Sequence, residues 1–274
     1  MGSAKSKEGF ATLHVGRVHG ASTVLVSRSR SPLCMLTPRP RGPSVWAYTS
    51  NLGGGMVAGD TSKIDLTIDS GALCYLGTQA SSKIYRNPLN RACTHRLDAT
   101  VAAGSTLVFA PDSVQCFADA VYHQHQTFHL APDANLILVD WISAGRLARG
   151  ERWAFKRYTS RNEVYVENRP VVIDAIDLDT SAGLGRFQTG RFNCLGVVVM
   201  LGPALTTRSK EILDKVSTLP IEPGADLQCA ASPVGNGIIL RLAGLSVEQV
   251  GHVIYEHLKF VKGLLHDDPW SRKW

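Results

Sequence analysis

His123, His125 and His129 share one parity within a run of alternating character, so an extended backbone projects all three from one face. Adjacent same-face residues on a strand lie about 7 Å apart, so imidazoles there hold a borderline metal only when a third ligand stands close by. No cysteine or carboxylate occupies a recognised ligand spacing beside them. The run therefore reads first as an exposed polar strand face, with His123 and His125 as the ligands to test if a metal binds there.

Residues 51–60, Asn-Leu-Gly-Gly-Gly-Met-Val-Ala-Gly-Asp, look at first like a phosphate-binding loop. The Gly-Lys-Ser/Thr ending of a P-loop is missing, and the spacing of Gly53, Gly54, Gly55 and Gly59 does not match the dinucleotide fingerprint. The alternation after Asp60 also predicts a strand where a phosphate site needs a helix N-terminus. These glycines instead permit a tight turn and close backbone approach. Asp60 then reads either as a turn residue bonding backbone amides or as a metal-facing carboxylate. Further on, Asp140-Trp141, Gly145-Arg146 and Gly150-Glu151 gather charges after an apolar strand. Such charges either face a polar channel or pair with one another, and pairing is the commoner arrangement. No Gly-x-Ser-x-Gly elbow occurs, and no motif supports an enzyme.

The elements that must position these residues are mostly strands. Over residues 62–176 apolar side chains recur with period two, as in Ile64, Leu66 and Ile68 against Lys63, Asp65, Thr67 and Asp69. Three turns share one form: Asp69-Ser70-Gly71-Ala72, Ala102-Ala103-Gly104-Ser105 and Pro132-Asp133-Ala134-Asn135 each precede a strongly apolar strand. Their spacing of roughly 30 residues falls in the range of stacked architectures, where each unit buries its apolar face only against its neighbours. Three hairpins in an ordinary β domain are the alternative. A further hairpin is predicted around Glu167-Asn168-Arg169-Pro170, and residues 180–185 read as a flexible connection. Beyond that point a strand is expected over 195–201, a helix over 207–217, a strand over 238–243 and a helix over 246–265. In the last of these Ser246 caps and Val247, Val250, Ile254, Leu258, Val261 and Leu265 form one stripe. The expected fold is mainly β: β-helix-like stacked strands with a small α/β C-terminal part containing about two helices. Its parts would be a flexible tail over 1–9, a β-helical body over 10–179, C-terminal strands and helices packed on it over 180–265, and a tail over 266–274.

The 274 residues are 44% hydrophobic and 19% charged, a composition that folds around a core. No stretch reaches the roughly 20 apolar residues of a membrane span, and no apolar signal core opens the chain. Six scattered cysteines without a C-x-x-C pair read as reduced thiols, which together points to the cytoplasm. Met1-Gly2-Ser3-Ala4-Lys5-Ser6 fits an N-myristoylation pattern, against the plainer reading of a tail. Twenty-nine basic against 23 acidic residues give a formal charge of +6. The basic cluster Arg28, Arg30, Arg39 and Arg41 has no interleaved aromatics and no nucleic-acid-binding signature accompanies it, so it reads as a solvated loop.

Several of these blocks together resemble the UreD/UreH family of urease accessory proteins. They are residues 53–60 (Gly-Gly-Gly-Met-Val-Ala-Gly-Asp), 78–86 (Thr-Gln-Ala-Ser-Ser-Lys-Ile-Tyr-Arg, with Gln79, Lys83, Tyr85 and Arg86), and 111–117 (Pro-Asp-Ser-Val-Gln-Cys-Phe). The series continues with 138–146 (Leu-Val-Asp-Trp-Ile-Ser-Ala-Gly-Arg) and 150–153 (Gly-Glu-Arg-Trp). The blocks stand in family order over the first two-thirds of the chain, and the likeness weakens after about residue 179. Gly77 departs from the threonine common there, and the clustered histidines are no family requirement.

The resemblance implies a β-helical scaffold without catalysis of its own. It implies direct docking on UreF, contact with the GTPase UreG through UreF, and engagement of apo-urease during GTP-dependent nickel insertion. Nickel would be transient cargo and no cofactor would be tightly bound. Neither nucleic acid nor membrane is an expected partner. The polar positions implied for an internal nickel passage are Asp60, Thr78, Asp140, Ser143 and Glu151. Weak, dispersed oxygen ligands suit transit better than a closed cage. Two rival readings remain: a β-solenoid enzyme acting on polysaccharide, which needs closely placed carboxylates on an exposed face, and a basic nucleic-acid-binding protein.

Overall fold

A computed structural model describes residues 8–39, 41–180 and 189–272. The chain enters through β1 (Glu8–Val18), β2 (Ala21–Arg30), β3 (Leu33–Leu36) and β4 (Val45–Asn51). It then winds as repeated coils. In the first, β5 (Thr61–Ile68) lies in one sheet, β6 (Leu73–Thr78) and the short β7 (Ser82–Ile84) lie in the facing sheet, and β8 (Cys93–Val101) returns to the first. The next coil repeats this with β9 (Thr106–Phe109), β10 (Val114–Cys116) and β11 (Val121–Leu130). Then β12 (Asn135–Ser143) crosses to β13 (Arg157–Val166). Strands stacked from successive coils pair in parallel: β1, β5, β8, β11 and β13 on one side, and β4, β6, β9 and β12 on the other. This is a β-solenoid.

The three recurrent turns of the sequence are one corner of the solenoid, stacked on itself. Gly71 N–H donates to the Ala103 carbonyl (3.0 Å), Thr106 N–H to Ala72 (2.9 Å) and Asn135 N–H to Ser105 (2.9 Å), so each turn satisfies backbone groups of its neighbour. Paired residues on successive coils are 33 apart for Ser62 and His95 and 29 apart for Thr106 and Asn135, matching the expected repeat. Beside this corner the apolar inward positions of both sheets, among them Leu13, Ile64, Leu97, Phe128, Leu76, Leu107 and Leu136, form one continuous core.

Antiparallel strands close both ends. β2 lies antiparallel on β1, and β14 (Arg169–Asp179) antiparallel on β13. The β13–β14 hairpin turns through Glu167 and Asn168, both with positive φ (50° and 63°). Beyond residues 181–188, where the expected flexible connection falls outside the described residues, β15 (Cys194–Leu201), β16 (Leu227–Val234) and β17 (Gly237–Gly244) extend the second sheet in the order β12-β15-β17-β16. Three α-helices occur among the described residues: α1 (Thr206–Ser217), α2 (Val247–Leu258) and α3 (Val261–Leu265). They cover the outer face of this sheet through a second apolar cluster that includes Val198, Met200, Ile212, Val250, Ile254 and Leu265.

Three boundaries differ from expectation. Glu8 and Gly9 belong to β1 and not to a tail. The single helix expected over 246–265 is two: Ser246 caps the first by accepting from Gln249 N–H (3.2 Å), and the ladder restarts at Phe260, whose carbonyl accepts from both Gly263 and Leu264. Residues 269–272, expected as a tail, form a 3-10 turn in which Trp270 packs edge-on against Tyr75 and Tyr255 and the Pro269 carbonyl accepts from Tyr48. The myristoylation motif at Gly2 lies outside the described residues. None of the described helices is long and apolar enough to cross a membrane.

Candidate functional site

The glycine-rich and charged sequence blocks meet at a second corner of the solenoid. Met56 N–H donates to the Lys83 carbonyl and Tyr85 N–H to the Met56 carbonyl, both at 2.9 Å, while Tyr85 Oη donates to Gly53 O (3.2 Å). A Cβ on Gly55 would stand 2.5 Å from Lys83 O and 2.9 Å from the Tyr85 ring, so glycine at this position lets two backbones touch. Tyr85 packs edge-on to Phe117 (5.3 Å), and the Arg146 guanidinium lies over the Phe117 ring at 4.0 Å. Arg146 forks onto Glu151, which also accepts from Arg86 Nη2 (3.2 Å) and Ala118 N–H (3.1 Å). The Arg146 fork holds the Glu151 carboxyl down to about 2. Gly145, at φ +109°, leaves room where a Cβ would strike the Glu151 and Cys116 carbonyls at 2.8 and 3.0 Å. This assembly is a structural clamp: its charges pair with one another.

The interior holds different chemistry. Along β11, Tyr122 joins an apolar cluster near the clamp and Phe128 and Leu130 join the main core, while the inward residues between them are Gln124 and Gln126, 6% and 2% exposed. The same break recurs on every neighbouring coil. Ser62 pairs in register with His95, His95 with Gln124, Gln124 with Ser160, and Gln126 with Asn162. From the facing sheet come Asp140, Thr78 and Asp112. Asp140 accepts from Gln124 Nε2 (3.0 Å), Ser160 Oγ (2.5 Å) and Asn162 Nδ2 (2.9 Å). Thr78 Oγ1 donates to Asp112 Oδ2 (3.1 Å) and accepts from Asp112 N–H (2.8 Å). A polar stripe thus crosses the strands at right angles, parallel to the solenoid axis, between two apolar layers.

This stripe lines a narrow internal cavity of about 40 Å³, walled among others by Asn51, Thr78, His95, Gln126 and Asp140. On one side the cavity shares Thr49, Asn51, Thr78 and Ser82 with a surface depression of about 70 Å³ rimmed by Gly54, Gly55 and Lys83. On the other it shares Asp140 with a groove of about 480 Å³ between β14 and the β15–β17–β16 extension, spanned by the Asp174–Arg241 ion pair (2.6 Å). Burial raises the Asp140 carboxyl against the three hydrogen bonds that lower it. Burial lowers His95 to about 4, so its imidazole is neutral near pH 7, with its Nδ1 2.6 Å from Ser62 Oγ. The side-chain oxygens of Asn51, Gln126 and Asn162 find no donor among the described residues.

Of the residues singled out in the sequence, Thr78 and Asp140 line this cavity. Asp60 is buried in its own turn, accepting from Val57 N–H (3.0 Å), Ser143 donates to the Val114 carbonyl (3.3 Å), and Glu151 sits in the clamp; none of the three walls the cavity. His123, His125 and His129 occupy the outer face of the sheet, where they contact Thr159, Glu163 and Tyr165 respectively. No group of three histidine, cysteine or carboxylate side chains among the described residues is arranged to hold a metal. Sequence reasoning missed Ser62, His95, Gln124, Gln126, Ser160 and Asn162. The available signal was parity, since Gln124 and Gln126 alternate in phase with Tyr122, Phe128 and Leu130.

A family model described as UreD urease accessory protein matches residues 7–274. The chain is 42% identical over 98% of its length to a urease accessory protein UreD of Sorangium cellulosum, covering 85% of that relative. It is 38% identical over 97% of its length to one of Anaeromyxobacter, covering 90% of it. With urease accessory protein D of Arabidopsis thaliana it shares 30% identity over 94% of its length and 98% of the relative's.

Proposed function

The chain belongs to the UreD family of urease accessory proteins, and from that premise we propose that its polar stripe is a transit path for nickel on the way to apo-urease. The protein serves urease maturation and is not an enzyme. In this reading it docks directly on UreF, meets the GTPase UreG through UreF, and carries nickel as passing cargo during GTP-dependent insertion. No resident cofactor takes part.

One observation carries the proposal: a line of buried polar side chains runs along the solenoid axis where leucine and valine would pack. A buried polar atom left without a partner costs about 1–3 kcal/mol, and apolar replacements of the same shape are neutral or stabilising. Stability alone therefore does not account for the stripe. Its oxygens are dispersed hydroxyls, amides and the carboxylates of Asp112 and Asp140, donors that bind a divalent ion weakly enough to release it. Thr78 lines both the cavity and the depression by the triple glycine, and Asp140 lines both the cavity and the larger groove. In this reading an ion would enter on the Thr78 side and leave on the Asp140 side.

The test is reconstitution of apo-urease with nickel, bicarbonate, UreF, UreG and GTP, with and without this chain. Activation should depend on the chain, and should fall when Asp140→Asn replaces it while UreF still co-purifies. Activation equal in all three mixtures would overturn the proposal.

A further inference from the structure

The cavity wall is largely apolar, with Leu33, Ile64 and Phe109 among its members, and most of its polar residues are oxygen donors, among them Thr78, Gln126 and Asp140. His95 supplies its single imidazole. Imidazole favours nickel, zinc, copper and iron, whereas an all-oxygen wall suits magnesium, calcium and manganese. Space sharpens the distinction. A water needs roughly 10–15 Å³ of such volume, so a cavity of about 40 Å³ admits roughly three. An octahedral ion arrives with six ligands. Part of that shell must be exchanged for groups on the wall, and the identity of those groups then decides which ion passes.

A donor is in place for the exchange. Gln126, 2% exposed, lines this space, and its amide oxygen has no protein donor among the described residues. It lies two residues along β11 from Gln124, the register partner of His95, which makes it a diagonal neighbour of His95 on the inward face. We propose that His95 and the Gln126 amide oxygen form a transient station for a first-row divalent cation, admitting nickel-like ions ahead of magnesium and calcium. This rests on the transit reading above and assigns its selectivity to the one imidazole that lines the cavity.

The experiment uses the full chain in a His123→Gln, His125→Gln background, which removes two outer-face imidazoles, and titrates nickel alone and magnesium alone. Nickel should broaden one histidine ring resonance in NMR spectra and bind measurably by calorimetry. Adding His95→Gln should remove that broadening and weaken nickel binding at least tenfold, leaving magnesium binding unchanged. Gln126→Leu, which keeps the volume and loses the oxygen, should weaken nickel severalfold and provides a second reading if His95→Gln folds poorly. The station is refuted if nickel affinity is the same with and without His95, or if the broadened resonance survives its replacement. The two proposals fail separately: an effect of Asp140→Asn on activation with no effect of His95→Gln on nickel preference removes the station and keeps the path. The reverse pattern keeps a selective nickel site and removes the path.

Discussion

Gln124 and Asp140 face each other from opposite sheets of the solenoid, with Gln124 Nε2 donating to Asp140 Oδ1 at 3.0 Å. The same amide reaches Ser160 Oγ at 3.1 Å, so a single side chain joins the two walls and the next coil. Networks of this kind inside an apolar body are strengthened by the low local dielectric, and for the same reason are sensitive to the loss of any member.

Asp140→Asn places an amide nitrogen among three donors that now point at carboxylate oxygens. Urea denaturation should show a loss of about 1–3 kcal/mol, the cost of one unmet buried donor. Activation per folded molecule should fall at least tenfold.

Asp60→Ala separates structure from transit. The carboxylate caps Val57 N–H and does not wall the cavity, so its loss should lower stability by about 1 kcal/mol. Activation normalised to folded protein should be unchanged. A collapse of normalised activation with normal stability would place Asp60 on the path after all.

Two groups give stability a double pH dependence. His95 falls from 6.5 to about 4 on burial, so the unfolded chain takes its proton first; stability is full above about 6.5 and declines as pH drops toward 4. Glu151 falls from 4.5 to about 2 beside Arg146, so its contribution is present above 4.5 and is lost between 4.5 and 2. Thermal midpoints measured from pH 7.5 to 3 should drop through both windows. His95→Gln should flatten the upper one alone, and Glu151→Gln the lower one alone.

Gly55→Ala drives a methyl to 2.5 Å from the Lys83 carbonyl, and should cost about 1–3 kcal/mol in urea denaturation. Gly53→Ala meets nothing within 4 Å and suffers only from its φ of +97°, so its cost should be about 1 kcal/mol. Equal effects would show that conformation, and not contact with the Lys83–Tyr85 backbone, explains the glycines.

Much of this architecture was legible in the residues. Alternation at Ile64, Leu66 and Ile68 gave the strand, and the turns at Gly71, Gly104 and Asp133 gave the stacking, because an apolar strand face needs a neighbour whatever its partner. The pairing of Arg146 with Glu151 followed from the ordinary preference of charges near an apolar wall for one another. The interior stripe did not show. Gln124 and Gln126 look like surface residues by type, and the adjacent His123 and His125 drew attention to the opposite parity, which faces outward. Only the register of four parallel strands brings Ser62, His95, Gln124 and Ser160 into line, and register is not written in any single strand. The helix break at Phe260 was hidden because Val261 and Leu265 continue the apolar stripe across it.

The reversed strands β2 and β14 form the two edges of the first sheet. Parallel coils present the same hydrogen-bonding edge at each end, and copies of such a stack would otherwise add to one another without limit. Running against the winding, with Arg28 and Arg30 along β2 and Asp177 and Asp179 along β14, these two strands end the parallel ladder of the first sheet in charged rims. Charged edges of this kind discourage edge-to-edge joining of one spool to the next.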